Sequence, residues 1–207
     1  MSRLILLPFL LIGLIWAAPS IARQDEQAQQ QARAFIEDLG DRTIDLLSDP
    51  DATTQSLIDD FERLFRQNFD TNTIGRFVLG RHWSQATPQQ RQNYLEVFRE
   101  FVVQTYAQRF SDFSGQRLQI EGTRPAGSSD VMVSTRIVDP SGAPPVAVDW
   151  RVRVQDGEVK IIDVMVENVS MAITYRNEFN SVIQRQGGNV AGLIQALQQR
   201  VEEMRAS

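Results

Sequence analysis

The amino-acid sequence predicts a single-domain α+β protein, with a four-stranded antiparallel sheet covered by about six helices. Apolar residues recur every three or four positions before residue 115 and again after residue 170, which is typical of amphipathic helices. Between these regions they recur at every second position, which is typical of strands. Short links join the strands, and the helices come before and after them, as in the α+β class.

The N-terminal segment, residues 1–22, reads as a secretory signal peptide. A positive start at Arg3 precedes an apolar stretch, and Ser20 and Ala22 have the small side chains of a signal-peptidase site. The alternative is a membrane anchor, but the apolar stretch is short for a bilayer span. We expect cleavage after Ala22 and a mature domain of residues 23–207.

Composition limits the classes of function. Without residues 1–22, 20 of the 21 basic residues remain against 26 acidic ones, a formal charge of −6, which argues against nucleic-acid binding. The chain has no cysteine, so packing must stabilise an exported domain without disulfides or thiolate metal sites. No later apolar run is long enough to cross a bilayer, and we expect a soluble product.

The first two predicted helices carry apolar stripes. The first has its stripe from Ala32 to Leu39 and ends before Asp49-Pro50-Asp51. Thr53 or Thr54 can cap the second helix. Its buried face consists of apolar residues three or four positions apart, namely Leu57, Ile58, Phe61, Leu64, Phe65 and Phe69.

Two further helices are predicted before the sheet. Asp70 or Thr71 can cap a short third helix, and Gly80 can end it. The stretch Thr87-Pro88-Gln89-Gln90 matches a capping box with proline at the first helical position. A long helix therefore begins there and ends near Ser114-Gly115.

Alternating apolar residues predict four strands. These strands contain Leu118 and Ile120, Val131 to Ile137, Val146 to Val154, and Glu158 to Val166. Gln155-Asp156-Gly157 predicts a tight hairpin between the third and fourth strands. The fourth strand is apolar on both faces in its second half, which predicts that it is central or covered on both sides.

The stretch DVMVENVSMAITYRNEF joins the last predicted strand to a helix almost without a loop. Glu167-Asn168 can turn the chain, because asparagine tolerates left-handed backbone, and Ser170 can cap the following helix. That helix ends at Gly187-Gly188, and one more, residues 189–204, follows.

Three stretches of the chain indicate its protein family, namely DVMVENVSMAITYRNEF, FVLGRHWSQATPQQRQNYLEVFREFVVQTY and GGNVAGLIQAL. Together they resemble the MlaC family, also called toluene-tolerance auxiliary proteins, over nearly the whole chain after residue 22. The specific signal is the order of Leu79-Gly80, Trp83, Ala86-Thr87-Pro88, Gln90-Arg91, Phe98, Tyr106, Asp163-Val164, Glu167, Val169-Ser170 and Arg176. Two positions depart from the family pattern: Asn168 replaces the usual glycine, and Val159 lies near a frequent tryptophan.

The resemblance implies a periplasmic carrier of diacyl phospholipid. Such a carrier shuttles lipid between an outer-membrane lipoprotein with a porin and an inner-membrane MCE-type ABC transporter complex, and so maintains outer-membrane lipid asymmetry. It implies no cofactor other than phospholipid as cargo. We expect a monomer.

Carrying phospholipid through water requires a deep apolar slot. Two acyl chains hold about thirty methylenes, and exposing them at about 0.8 kcal/mol each would cost on the order of 20 kcal/mol, whereas exposed ion pairs contribute about 0–1 kcal/mol each. We therefore expect an apolar cavity between the concave sheet face and the helices. Candidate lining residues are Phe61, Phe65, Phe77, Phe101, Val102, Tyr106, Val133, Val148, Trp150, Val164, Val169, Met171, Tyr175 and Phe179.

Among these candidates, Val169 and Met171 are favoured, because a junction at a sheet end commonly lies at a cavity mouth. Arg176 is the candidate for the headgroup phosphate, and Tyr175 could also meet it. Each apolar candidate has a competing interpretation as ordinary core, which periodicity cannot separate from cavity lining.

Two other classes of function remain open. A cavity-bearing periplasmic enzyme would need His82, the only histidine, for a Ser-His-Asp triad, or an acid–base or calcium-binding pair such as Asp163 with Glu167. His82 more readily caps or packs, and Asp163 more readily anchors a strand end, so we predict neither catalytic residues nor a metal site. The same slot would also suit another apolar ligand or a lipoprotein.

Overall fold

The structure, a computed structural model, describes residues 19–206. The helices are α1 Pro19–Leu47, α2 Thr54–Asn68, α3 Thr71–Leu79, α4 His82–Gln85, α5 Pro88–Ala107, α6 Met171–Arg185 and α7 Val190–Ala206, with a 3₁₀ turn at Phe110–Asp112. The strands are β1 Arg117–Pro125, β2 Asp130–Val138, β3 Val146–Gln155, β4 Glu158–Val166 and β5 Val169–Ser170. The predicted signal peptide lies outside the described residues except for its last four positions, which begin α1. Within the described range, no helix combines the length and apolar character of a membrane span.

The predicted α+β class is confirmed, with one antiparallel sheet in the order β1-β2-β3-β4-β5. The sheet has five strands rather than the four predicted. Glu167 and Asn168 both have positive φ, 49° and 64°, so the chain reverses within two residues and Val169 pairs with Val166. A two-residue strand is too short to show alternation, and for the same reason the four-residue α4 escaped detection by its period.

The apolar face of the sheet packs against α1. Side chains alternate across the pleat, so Val131 and Val133 of β2 share a face with Val152 of β3. They form, with part of α1, a cluster that we call the sheet core. Its members are Ala32, Ile36, Leu39, Val131, Val133, Val152 and Ile161.

A second and larger cluster, the helix core, joins α2, α3, α5, α6 and α7. Its members are Phe65, Ile74, Val78, Leu79, Ala86, Tyr94, Val97, Phe98, Val102, Val103, Ala172, Phe179, Ile183, Val190, Leu193, Ile194, Leu197 and Val201. Phe69, between α2 and α3, packs against both cores. The domain therefore has two apolar centres that share Phe69 at their border.

Helix starts follow the predicted caps. Thr53, rather than Thr54, caps α2, and Asp70 caps α3. Thr87 and Gln90 form the predicted capping box at α5, and the Ser170 side chain accepts a hydrogen bond at the start of α6. The long helix α5 ends at Ala107 rather than near Ser114, because the 3₁₀ turn replaces its last predicted turns.

The outer edge of β4 is paired along two segments. β5 covers one end, and near the other the backbone N–H of Asp70 donates to the carbonyl of Ile161 at 2.9 Å. The Lys160 ammonium group adds a hydrogen bond to the Gln67 carbonyl, 2.5 Å away. β4 also contacts α1, α2, α3 and α6, in agreement with the cover predicted for it. At the opposite edge of the sheet, the pairing of β1 with β2 has a register shift between Ile120 and Gly122.

Candidate lipid-binding site

The predicted lining residues differ widely in burial. The buried ones are Phe65, Val102, Val133, Val148 and Phe179. The partly buried ones are Phe61, Phe101, Tyr106, Trp150, Val164, Met171 and Tyr175. Two are exposed, Phe77 at 42% and Val169 at 53%.

Four of the five buried candidates occupy the two cores; Val148 belongs to neither. Phe65, Val102 and Phe179 belong to the helix core, and Val133 belongs to the sheet core. Their side chains already contact other core residues, as ordinary packing requires. Contact between these residues and lipid stays a prediction.

Partly buried aromatic residues border the helix core. Tyr175 lies edge-on to Phe101, with ring centroids 5.7 Å apart, and 5.8 Å from Phe179. Burial, with a smaller effect of the hydrogen-bonded Tyr106, raises the pKa of Tyr175 well above its ordinary value. The Tyr175 phenol is therefore neutral at physiological pH, and its ring presents apolar surface.

A matching apolar surface borders the sheet core. Trp150 of β3 lies directly across from Val164 of β4, and both pack against that core. The indole N–H of Trp150 donates to the Thr135 hydroxyl at 3.1 Å, and Thr135 in turn donates to the Val148 carbonyl at 2.7 Å. With its polar atom satisfied inside the sheet, the Trp150 ring can meet an apolar ligand without a desolvation cost.

We call those predicted lining residues that are partly buried and pack against one of the two cores the border residues. They are Phe61, Phe101, Tyr106, Tyr175, Trp150 and Val164. They combine apolar surface with partial exposure, as contact with a ligand requires. The Thr135 hydroxyl, which holds Trp150, was not predicted, because a polar residue in a strand pattern gives no signal of its partner.

The strand-to-helix junction is organised around Asp163. One of its carboxylate oxygens accepts hydrogen bonds from the backbone N–H groups of Val164 and Ala172, at 2.8 and 3.2 Å. The other accepts from the Ser170 hydroxyl at 2.6 Å, and that hydroxyl oxygen caps α6 by accepting from Ile173 N–H. The anchoring role predicted for Asp163 is confirmed.

The other side chains considered for catalysis also have structural partners. A Glu167 carboxylate oxygen accepts from the Ala147 N–H at 2.6 Å. His82 is buried, with Nε2 3.0 Å from the Asn180 side-chain oxygen of α6, in agreement with the predicted packing role. Across residues 19–206, no group of three or more histidine, cysteine, aspartate or glutamate side chains is placed to hold a metal ion.

Arg176, the headgroup candidate, lies on another side of α6 from its neighbour Tyr175. Its guanidinium stacks over the Phe77 ring at 5.0 Å, whereas Tyr175 contacts Phe101 of α5. Arg176 lines a surface pocket of about 460 Å³ together with Thr73, Arg76, Phe77, Gly80, Trp83 and Ser84. A second pocket, of about 360 Å³, lies between the start of α1 and the β1–β2 turn. Neither pocket is lined by border residues, and the predicted cavity between sheet and helices stays a prediction.

Comparison with known proteins gives relatives of one kind. A phospholipid-binding protein from Ralstonia solanacearum, solved in complex with a phospholipid, superposes with a TM-score of 0.73 and 28% identity, covering 84% of this chain and 98% of that chain. The intermembrane phospholipid transport system binding protein MlaC of Haemophilus influenzae is 27% identical over 62% of this chain. The toluene tolerance protein ttg2D of Pseudomonas putida is 22% identical over 64% of it. Each alignment spans 61% of the curated relative's own length.

The family assignment rests on a match over most of the chain. Residues 37–199 match the family model described as MlaC protein. This range runs from α1 into α7 and so contains all five strands and most members of both cores. The chain therefore belongs to the MlaC family.

Proposed function

We propose that this chain is a periplasmic phospholipid carrier without enzymatic activity. The observation that carries the proposal is its likeness to the Ralstonia solanacearum protein, which was solved with a phospholipid bound and which the chain covers over 98% of its length. The names of both curated relatives agree with a role in the envelope, one in intermembrane phospholipid transport and one in toluene tolerance.

The border residues supply the chemistry that such a carrier needs. Two acyl chains cost on the order of 20 kcal/mol to expose to water, and only a continuous apolar surface can offset a term of that size. The rings of Phe101 and Tyr175 on one core and of Trp150 on the other are partly exposed. The Tyr175 hydroxyl and the Trp150 indole N–H both have hydrogen-bond partners within the protein. We propose that acyl chains enter between the two cores and contact these rings.

The proposed route runs between an outer-membrane lipoprotein with its porin and an inner-membrane MCE-type ABC transporter. A carrier on this route maintains the lipid asymmetry of the outer membrane, and a cleaved signal peptide, residues 1–22, would deliver it to the periplasm. The domain 23–207 would act there as a monomer with phospholipid as cargo and without a cofactor. Crosslinking in intact cells, with the transporter and the lipoprotein as expected partners, tests this route.

Native mass spectrometry of the gently purified protein tests the lipid cargo. We expect an adduct with the mass of a diacyl phospholipid. Val164→Glu would place a charge beside Trp150 and should abolish the adduct, because burying an unpaired carboxylate against acyl chains is costly. Ile173→Glu is the matched control, since Ile173 is 52% exposed and is not one of the predicted lining residues, and it should keep the adduct.

The outcomes separate the candidate cargoes. Val169→Glu tests the predicted cavity mouth in the same way, although Val169 is 53% exposed. A folded wild-type protein that never carries phospholipid refutes the proposal. A covalent or non-covalent lipoprotein adduct would instead identify a chaperone for lipidated proteins.

A further inference from the structure

The pocket between α3, α4 and α6 has the composition of an anion-binding site. Its walls include two guanidinium groups, Arg76 and Arg176, and two aromatic rings, Phe77 and Trp83. Its volume of about 460 Å³ falls in the range of small-molecule sites. We propose that this pocket binds a phosphate ester, with Arg76 and Arg176 holding the phosphate and the two rings contacting the organic group.

Arg176 is held in place for this role by its neighbours. Its guanidinium lies 5.0 Å from the centre of the Phe77 ring, a cation–π contact that orients the planar group. On the other side it lies against Gly80, where a Cβ atom would come within 3.1 Å of the Arg176 Nε atom. Gly80 has φ +57°, which disfavours a side chain there, so the backbone leaves room for the guanidinium.

The described lining of the pocket contains two guanidinium groups and no carboxylate, in a chain whose formal net charge is −5. Arg91 adds a third guanidinium group, which lies over the Trp83 ring at 5.4 Å. Among the ion pairs of residues 19–206, none involves Arg76, Arg81, Arg91 or Arg176. The guanidinium donors of Arg76 and Arg176 are therefore not neutralised by a carboxylate of the described chain.

The donors available in the pocket favour an anion with several oxygens. The Thr73 hydroxyl donates to Asp70 at 2.5 Å, and the Ser84 hydroxyl donates to the Arg81 carbonyl at 2.9 Å. Both hydroxyl protons are thus already used. Two guanidinium groups offer donors in planar forks, which match the three or four oxygens of a phosphate better than the two of a carboxylate.

The phosphate ester could come from two sources. One is the headgroup of a bound phospholipid, an inference that rests on the proposed function. The other is a soluble ester, which would bind whether or not the protein carries lipid. The chemistry at the guanidinium groups is the same in both cases, and the experiment separates them.

Titration with glycerol 3-phosphate at low salt, followed by calorimetry and by the guanidinium signals of NMR spectra, tests the pocket. We expect saturable binding that weakens as salt is added. Arg76→Gln and Arg176→Gln should each weaken binding about tenfold, the usual loss for one charge-assisted hydrogen bond. Arg185→Gln, in the last turn of α6 and outside the pocket, is the matched control and should leave binding unchanged.

The sources are distinguished on protein whose lipid content is known from its mass. If phospholipid-loaded protein no longer binds glycerol 3-phosphate while the stripped protein does, the headgroup occupies the pocket. Equal binding by both identifies a soluble ester, and binding by a protein that never carries lipid would refute the carrier function while supporting the pocket. Absence of saturable binding in the wild type, or equal binding by the Arg76→Gln and Arg176→Gln variants, would overturn the proposal.

Discussion

Replacing Asp163 tests whether one carboxylate holds the strand-to-helix junction together. Asp163→Ala leaves three donors without their acceptor, the N–H groups of Val164 and Ala172 and the hydroxyl of Ser170. At about 1 kcal/mol for each lost partner, the free energy of unfolding should fall by about 3 kcal/mol. Asp163→Asn keeps an acceptor for the two N–H groups but presents an amide donor to Ser170, and it should cost about 1 kcal/mol.

Urea denaturation followed by circular dichroism measures both variants. Ser170→Ala removes the helix cap and should cost about 1 kcal/mol by itself. In the double variant with Asp163→Ala, the loss in the free energy of unfolding should be smaller than the sum of the two single losses. The reason is that both substitutions remove the same hydrogen bond. If Asp163→Ala cost under about 0.5 kcal/mol, the anchoring argument would be wrong. A saturable enzymatic activity that disappeared in folded Asp163→Asn protein would instead assign the carboxylate to catalysis.

Three further predictions concern the fold around the helix core. Burial raises the pKa of Tyr94, whose hydroxyl donates to the Gly75 carbonyl. Above about pH 10 this tyrosine ionises in the unfolded chain but not in the folded one, so the free energy of unfolding should fall as pH rises. When denaturation at pH 8 and pH 11 is compared, this fall should be smaller in Tyr94→Phe than in the wild type. Gly80→Ala should lower the free energy of unfolding by about 1–3 kcal/mol in thermal melts, because Gly80 has positive φ and lies against Arg176; an unchanged melting temperature would contradict the strain argument. Thr87→Ala should cost about 1 kcal/mol in urea through loss of the capping box, and Thr87→Ser should restore most of it.

Features encoded by neighbouring residues were predictable from the sequence. The caps at Thr87 and Ser170 depend on side chains that reach only three residues along the chain, so a local pattern contains the necessary information. The turn at Glu167-Asn168 is local in the same way. The pairing of Val169 with Val166 was missed, because a strand of two residues has no period to detect.

Placement of the candidate site depends on distant contacts, which the pattern does not contain. Val133 and Trp150 are opposite each other in the sheet, and both fit the apolar alternation. Val133 is fully buried, whereas Trp150 is partly exposed, a difference that the alternating pattern does not contain. Phe77 likewise fits a helical stripe, yet its side chain is exposed. Its ring contacts the guanidinium group of Arg176, a residue ninety-nine positions later in the chain.

The covered edge of β4 bears on self-association. An unpaired edge can recruit a strand from another molecule and so begin aggregation. β5 and the backbone at Asp70 occupy the places where such a strand would add. At the opposite edge, the bulge near Gly122 and the proline at Pro125 interrupt the regular hydrogen-bonding groups that a templated strand requires. Both edges of the sheet are thus protected against edge-to-edge association with another molecule.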